Sequence, residues 1–209
     1  MGHFTPPAHK LFWNCFDKIF PVRQAEFDKD ALIIRVLEPE MARSPTFSVR
    51  KAVIADAVHI LDCLNEAFAP FRDAYTTEAF LDTVLTPATL EQRFKTMTLF
   101  VALDRDENVV GTVGCELTAS GEGHLRGMAV RSVWQGGGVA AELLQHAEAE
   151  LAHQGCARIT LDTTEPLRRA MSFYEKHGYR SSGGTRDFFG MPLYEYCKEL
   201  EPATTATPR

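Results

Sequence analysis

The sequence predicts an α/β domain in which a mixed sheet is flanked by helices. Apolar residues alternate over short runs, for example at 98–103 and 109–118, and this alternation is typical of strands. Between such runs the apolar residues recur every three or four positions, as they do over 139–151, and this spacing predicts helices. The predicted order is a strand, two helices, three strands, a helix, a strand, a helix and two strands, which favours the α/β class.

The bulk composition narrows the range of functions. The chain has 209 residues, 45% of them hydrophobic and 24% charged, which suits one sizeable globular core. No apolar run approaches the roughly 18 residues of a membrane span, so no membrane partner is expected. The N-terminus lacks a secretory pattern, so we expect a cytoplasmic protein. A net charge of −6 disfavours nucleic acid as a partner.

The five cysteines show no pairing pattern. Cys15, Cys63, Cys115, Cys156 and Cys197 are far apart, and no two form a C-x-x-C pair. Such spacing favours buried reduced thiols over disulfides and argues against a structural zinc site. We therefore expect no metal.

Three segments are predicted. Residues 1–46 form an N-terminal extension, with an apolar helical stripe at 11–20 that Pro21 ends and a short strand at 31–37. This apolar surface must be covered. It could form an extra layer on the domain, pack on a partner subunit of a homodimer, or cover a substrate cleft. Residues 47–200 form the main domain, and the polar tail at 201–209 is predicted to be disordered.

The first half of the domain is predicted to hold one strand and then helices. A strand at 47–53 precedes a helix that Asp56 caps and Pro70 ends. A second helix starts near Thr77 and carries Phe80, Leu81, Val84 and Leu85. Pro87 breaks it before a further helix or turn at 88–95. The connection between the first two helices carries Phe71 and Tyr75, which either line a cleft or simply pack in the core.

The second half is predicted to hold most of the sheet. Strands at 98–103 and 109–118 are joined by a polar hairpin, and Gly111 and Gly114 suggest a bulge or a close backbone approach. The central strand at 124–130 is followed by the helix at 139–151, a strand at 156–162 and a helix at 166–177. Pro166 and Gly178 fit the two ends of that last helix. Two strands, at 179–188 and 193–200, close the sheet.

A glycine turn joins the central strand to its helix. Gly136, Gly137 and Gly138 lie directly before the apolar helical repeat. A turn of this kind at a helix start gathers free backbone N–H groups at the positive end of the helix dipole. Together they bind phosphate without any side chain.

Two motifs at a consistent separation resemble one family. The loop Gln135-Gly136-Gly137-Gly138-Val139-Ala140 is similar to a pyrophosphate loop of the form [Arg/Gln]-x-x-Gly-x-[Gly/Ala]. The run from Ala170 to Tyr179 is similar to A-x-x-F-Y-x-x-x-G-[F/Y]. Over residues 47–200 the chain therefore resembles the GNAT superfamily, the acyl-CoA-dependent N-acetyltransferases. The resemblance implies the GNAT fold, with splayed central strands, and acetyl-CoA as cosubstrate.

The resemblance also implies which residues hold the cosubstrate. The main chain of the residues before the loop would meet the acyl end, and the N–H of Val130 is our choice of donor to the acyl carbonyl. The loop and the start of its helix would meet the diphosphate. The full set is Met128, Ala129, Val130, Gln135, Gly136, Gly137, Gly138, Val139, Ala140 and Ala141.

The catalytic candidates rest on the same resemblance. Tyr174 matches the general acid position of the family, although a plain core tyrosine would look the same. His124 falls where several relatives carry a catalytic carboxylate, and by period-two counting it shares the strand face of Met128 and Val130. An imidazole titrates near neutrality, which suits a base. Glu116 and Glu122 are alternatives, and His124 could also be a solvated strand-end residue.

One position departs from the family pattern. Many relatives carry an asparagine three residues before the alanine of the tyrosine helix, and this chain has Leu167 there. Arg168 or Arg169 could replace the lost contact with CoA, and an ordinary surface role fits them equally.

The sequence thus predicts an enzyme that transfers the acetyl group of acetyl-CoA to a primary amine of a small molecule. Direct attack in a ternary complex is expected, because no cysteine lies in either motif to carry the acyl group. Two alternatives stay open: a catalytically silent acyl-CoA-binding regulatory module, and a protein N-terminal or ribosomal acetyltransferase.

Overall fold

The computed structural model describes residues 46–200. The helix predicted at 11–20, the strand at 31–37 and the disordered tail at 201–209 lie outside these residues. The three-segment division of the chain therefore stays a prediction.

Helices and strands fall where the sequence places them, within a few residues. The strands are β1 (Ser48–Lys51), β2 (Thr98–Leu103), β3 (Val109–Leu117), β4 (Gly123–Val130), β5 (Arg158–Thr164), β6 (Arg180–Phe188) and β7 (Met191–Glu199). The helices are α1 (Ala57–Phe68), α2 (Thr77–Val84), α3 (Pro87–Thr96), α4 (Val139–His153) and α5 (Arg168–Lys176). Within residues 46–200 the strands form one sheet in the order β1-β2-β3-β4-β5-β7-β6. Only the β4–β5 pair is parallel, so the predicted mixed sheet with flanking helices is confirmed.

Threonine and proline set the starts of α2 and α3. The hydroxyl of Thr76 accepts the N–H of Ala79, and the hydroxyl of Thr86 accepts the N–H of Thr89, at 3.3 Å each. Both contacts satisfy a donor that the first helical turn leaves free. Pro87 occupies the first position of α3, where its missing N–H costs nothing.

One local prediction on the first helices is wrong. Asp56 does not cap α1: its carboxylate accepts the N–H of Val53 at 2.8 Å and pairs with Arg50 at 2.7 Å. A 3-10 turn, Ile54–Asp56, precedes the helix and has already given Asp56 helical dihedrals, whereas a capping residue needs an extended backbone.

The core has one cluster on each face of the sheet. On one face α4 and α5 cover the sheet, and the cluster includes Phe100, Val113, Leu125, Leu143, Ile159 and Tyr174. On the other face α1, α2 and α3 cover it, and the cluster includes Ile60, Leu64, Phe80, Leu90, Val101 and Ala129. Any side chain of the sheet can therefore be assigned to the α4 face or to the α1–α3 face.

Strand β4 contains a bulge that reverses its alternation. Thr112 of β3 pairs with Ala129, but Gly114 pairs with Arg126, so β4 has one residue more than β3 over this stretch. Gly127 takes up the extra length with a φ of +65°, a conformation that glycine adopts without strain. Leu125 consequently packs on the α4 face and Ala129 on the α1–α3 face, although they are four residues apart.

The bulge overturns one face assignment. Met128 packs against the α4-face cluster, whereas His124 precedes the bulge and points to the opposite face from Leu125. The prediction that His124 shares a face with Met128 and Val130 is therefore wrong, because period-two counting fails across an extra residue.

The central strands diverge, as the fold implies. Strands β4 and β5 pair over only three residues each, from Gly123 to Leu125 and from Ile159 to Leu161. Beyond Leu125, β4 keeps its partner β3, and beyond Leu161, β5 keeps its partner β7. A gap therefore opens in the middle of the sheet, lined by the second halves of both strands.

The described cysteines are free thiols. Cys63, Cys115 and Cys156 are buried and Cys197 is partly buried. Burial raises the pKa of Cys63 to about 11 and that of Cys115 to about 12, so both stay protonated at neutral pH. Among residues 46–200, no helix is long and apolar enough to cross a membrane, and no cluster of side chains has the make-up of a metal site.

Leu143 offers a test of how far α4 holds the domain together. Its side chain is fully buried in the α4-face cluster, so Leu143→Ala should lower the free energy of unfolding by about 2–5 kcal/mol. Urea denaturation measures the change, with Gln145→Ala, at an exposed position of the same helix, as the control. Equal stability of the two variants would contradict the packing described.

Candidate active site

A cleft of about 600 Å³ opens where β4 and β5 diverge. Its walls come from the ends of both strands, the α1–α2 connection, α3, the loop before α4, and α5. The lining residues predicted from the sequence are Phe71, Tyr75, Met128, Ala129, Val130, Gln135, Gly136, Gly138, Ala140, Ala141 and Tyr174. Gly137, Val139, His124 and Glu116 do not line it.

The glycine loop is built from two left-handed residues. A 3-10 turn, Ser132–Trp134, leads into Gly136 with a φ of +82° and Gly138 with a φ of +89°, after which α4 begins. Gln135 fixes the loop to the end of β4, because its Nε2 donates to the carbonyl of Val130 at 3.0 Å. Side chains are rare at such φ values, which explains why glycine stands at both positions.

The loop presents free backbone donors to open space. The first hydrogen bond of α4 runs from the N–H of Glu142 to the carbonyl of Gly138 at 3.1 Å, so the preceding N–H groups of the helix have no helical partner. Within residues 46–200 no acceptor is bound to the N–H groups of Val139, Ala140 or Ala141. A Cβ added to Gly136 or Gly138 would meet no atom within 4 Å. The residues present therefore fit a phosphate group.

Val139 and Gly137, both predicted to bind the cosubstrate, have limited means of contact with it. The Val139 side chain is 1% exposed and belongs to the α4-face core, so only its N–H can serve a ligand. The N–H of Gly137 already donates to the carbonyl of Trp134, at 3.4 Å. These two residues shape the loop from behind, and Gly136 and Gly138 form its surface.

The divergence of the strands frees a backbone donor near Val130. Arg131 donates its N–H to the carbonyl of Val110 on β3 at 2.9 Å. Because successive N–H groups of a strand point to opposite edges, the N–H of Val130 points away from β3 and into the gap. Its direction fits the predicted donor to an acyl carbonyl.

Tyr174 belongs both to the core and to the cleft wall. Its ring packs edge-on against Phe173 and Tyr179, with centroid distances of 5.4 and 5.7 Å. The residue is only 7% exposed, and no residue in 46–200 hydrogen-bonds its hydroxyl. Burial raises the pKa of this phenol above its usual range, so Tyr174 is a neutral donor at pH 7.

His124 sits behind the cleft wall, next to Asp162. Its Nδ1 lies 3.0 Å from the hydroxyl of Thr160, which itself donates to the carbonyl of Gly123. In the tautomer that keeps this bond from Thr160 to Gly123, Nδ1 carries the proton and Nε2 has a lone pair 3.7 Å from Asp162 Oδ2. Burial lowers the pKa of His124, and the nearby Asp162 partly opposes this effect. A neutral imidazole able to accept a proton is the result.

Sequence reasoning missed Asp162. This carboxylate lines the cleft on β5, one residue past the last β4–β5 pair, and Arg186 Nη2 donates to both of its oxygens at 2.6 Å. A signal existed: Asp162 ends the apolar alternation of β5, and side chains at such strand ends commonly serve ligands. Next to it, the buried hydroxyl of Thr163 lacks a hydrogen-bond partner in the described part of the chain, which leaves a polar group for a bound molecule.

The two carboxylates that are alternatives to His124 as the base, Glu116 and Glu122, lie outside the cleft wall. Glu116 is the cross-strand neighbour of His124 on β3 and is absent from the cleft wall. Glu122 precedes β4, at the opposite end of the strand from the gap, and accepts a hydrogen bond from Arg158 Nη1 at 2.7 Å. A role for either in proton transfer stays a prediction.

Two aromatic residues form the outer wall. Phe71 and Tyr75 both line the cleft, and the Tyr75 hydroxyl contacts that of Thr164 at the end of β5. The Tyr75 ring also packs edge-on against Phe80, with centroids 6.4 Å apart. The α1–α2 connection is thereby joined to the far side of the gap.

The position that departs from the family pattern also lies in the wall. Leu167, Arg168 and Arg169 all line the cleft at the start of α5, and Arg168 Nη2 donates to Glu165 Oε1 at 2.5 Å. A contact of these arginines with CoA stays a prediction.

A sheet split between its central strands, with a backbone phosphate loop at the mouth of the gap, defines an acyltransferase that takes its acyl group from a CoA thioester. The chain belongs to the acetyltransferase (GNAT) family, whose model matches residues 60–179. The family uses acetyl-CoA.

Solved structures share the fold. A GNAT-family acetyltransferase from Staphylococcus aureus Mu50 superposes with a TM-score of 0.63 at 16% identity, covering 75% of this chain and 100% of that one. The PaiA N-acetyltransferase from Thermoplasma acidophilum, solved in complex with coenzyme A, has a TM-score of 0.62 at 16% identity. The superposition covers 74% of this chain and 99% of the PaiA chain.

A curated relative matches part of the sequence. Over 84 residues the chain is 34% identical to N-alpha-acetyltransferase 30 of Schizosaccharomyces pombe, which amounts to 38% of this chain and 55% of that protein. The chain thus spans about half the length of this curated relative.

A charge reversal tests the loop. Gly138→Glu should abolish measurable acetyl-CoA binding, because it sets a carboxylate where the diphosphate is expected. Isothermal titration calorimetry measures the affinity.

The matched control is Gly155→Glu, just past the end of α4. Gly155 also has a positive φ, of +82°, with no atom within 4 Å of an added Cβ, so the backbone strain is comparable. Unchanged affinity in Gly138→Glu, or equal loss in both variants, would contradict the loop assignment.

Proposed function

We propose that this protein is an N-acetyltransferase that transfers the acetyl group of acetyl-CoA to the primary amine of a small molecule. One observation carries the proposal: free backbone donors at Gly138, Ala140 and Ala141 line the same cleft as the neutral phenol of Tyr174. The first suits a diphosphate and the second suits a departing thiolate. The cleft volume of about 600 Å³ suits small ligands.

The chain's own residues can supply each need of amide formation. The loop and the Val130 N–H would hold and orient acetyl-CoA, whose thioester supplies the electrophile. A donor at the carbonyl stabilises the negative charge that develops during attack. Holding both reactants in contact supplies much of the rate gain.

The acceptor amine must lose a proton, because an ammonium has no lone pair. Asp162 in the cleft wall can bind the ammonium and pass its proton to Nε2 of His124, which lies behind it at 3.7 Å from Asp162 Oδ2. Asp162 then stabilises the imidazolium that forms. Arg186 holds Asp162 in place, so this carboxylate acts in binding and His124 acts as the base.

A second candidate function has one observation in its favour. The partial match to N-alpha-acetyltransferase 30 favours a polypeptide N-terminus as the acceptor. We rank it second because the match covers 38% of the chain. A panel of small amines and short peptides, assayed by release of free CoA thiol, ranks the two candidates by kcat/KM.

The same assay separates an enzyme from a silent CoA-binding module. Tight binding of acetyl-CoA in calorimetry, with no thiol release on any amine or peptide, would support the silent module. Turnover on small amines above that on peptides supports the proposal.

Tyr174 should act on turnover more than on binding. Tyr174→Phe should lower kcat by roughly 10²-fold through loss of the general acid, with little change in acetyl-CoA affinity. Tyr196→Phe is the control: this buried phenol donates to Glu175 and lies outside the cleft wall. If the two variants were equally active, Tyr174 would have no catalytic role.

His124 should set the acid limb of the pH profile. Burial places its pKa below the usual 6.5, so His124 is protonated only in more acidic solution, and kcat should fall as the pH drops below about 6.5. His124→Asn should remove this limb and lower the plateau by roughly 10²-fold.

The measurement is kcat at saturating amine between pH 5 and 8, with the exposed His153→Asn as the control. An acid limb of unchanged position in His124→Asn would exclude His124 as the titrating group.

A further inference from the structure

Two arginines give part of the cleft a positive charge in a chain whose net charge is −6. Arg93 projects from α3 and Arg126 from β4, and both line the cleft. They differ in their partners, because Arg126 Nη2 donates to Asp82 at 3.1 Å. No side-chain hydrogen bond or ion pair joins the Arg93 guanidinium to any other residue in 46–200, although the Arg93 carbonyl accepts the N–H of Met97 at 2.8 Å.

Burying a guanidinium that has no partner costs free energy, yet the residues around Arg93 leave space for its charged group. Burial lowers the pKa of Arg93 to about 10, with a smaller contribution from the neighbouring charge of Arg126. Arg93 is therefore still charged at neutral pH. The bulge residue Gly127 leaves space for the guanidinium: a Cβ there would lie 2.9 Å from Arg93 Nη1. A charge held in this way fits an anion that arrives from solution.

The anion that would bind Arg93 is not the diphosphate of the cosubstrate, because the two sites lie on different faces of the sheet. Helix α3 covers the α1–α3 face, where Leu90 is in the core and Phe94 packs against it. Helix α4 and its glycine loop cover the opposite face. Arg93 and the loop therefore reach the gap from opposite faces of the sheet, and Arg93 lies on the face that the loop leaves free.

We propose that Arg93, with Arg126 beside it, is an oxyanion subsite for the acceptor, and that the preferred acceptor is a primary amine that also carries a carboxylate. The inference rests on the proposed function. A guanidinium presents paired donors that match the two oxygens of a carboxylate. Asp162 across the gap has the opposite charge, so the wall offers a group for each end of a zwitterion. A phosphonate has the same oxyanion chemistry.

The test compares matched acceptors. For the best amino acid skeleton in the panel, kcat/KM is measured for the acid, the aminophosphonate and the neutral carboxamide, with wild type, Arg93→Met and Lys95→Met. Lys95 is on the same helix, is exposed and pairs with Glu91 at 2.7 Å, which makes Lys95→Met the control. Calorimetry with acetyl-CoA verifies that each variant is folded and binds the cosubstrate.

The expected result is a wild-type preference for the anionic acceptors over the carboxamide. Arg93→Met should lower kcat/KM roughly tenfold to a hundredfold for the anionic acceptors and leave the carboxamide little changed. Lys95→Met should resemble the wild type. The ratio of acid to phosphonate identifies which oxyanion is preferred.

Failure of the inference differs from failure of the proposed function. Turnover of amines without a preference for anionic acceptors, or with a preference that Arg93→Met retains, overturns the inference and leaves the acetyltransferase intact. If no amine is acetylated, the proposed function fails. Calorimetric binding of the free amino acids to the protein–CoA complex then decides: binding lost in Arg93→Met supports the subsite, and no binding overturns it.

Discussion

The early separation of β4 from β5 is the constraint on which the site depends. Strand pairing normally satisfies the backbone groups of a central strand, and here it stops after three residues on each strand. The exposed edges leave donors such as the Val130 N–H facing a gap inside the sheet rather than solvent at its margin. A ligand that enters the gap can therefore meet main-chain groups held by a rigid scaffold.

The two faces of the sheet contribute different chemistry to this gap. The α4 face supplies backbone donors at a glycine loop, a geometry that suits a diphosphate without any side chain. The α1–α3 face supplies side chains, among them the charged Arg93, Arg126 and Asp82. The bulge at Gly127 contributes to both, because it leaves space for the Arg93 guanidinium and its extra residue places Met128 on the α4 face.

Local patterns predicted the elements well and the site in part. The glycine loop and the tyrosine helix were predictable because each motif is continuous in sequence and its chemistry needs those residue types. The face on which His124 lies was not predictable. One extra residue in β4 reverses the alternation of side chains, and a single glycine at position 127 does not reveal a bulge. Asp162 and Arg93 meet the cleft from elements far apart in sequence. Their proximity follows from the strand order and not from any spacing.

The location of Arg93 on α3, away from the carrier loop, has an evolutionary consequence. If Arg93 selects the acceptor as proposed, substitutions on α3 and in the α1–α2 connection would alter which amine is accepted while binding of the acyl carrier stays intact. On that proposal, helix α3 could diversify in sequence, whereas the glycine turn on the opposite face could not. A single scaffold can in this way acquire new acceptors without losing its donor.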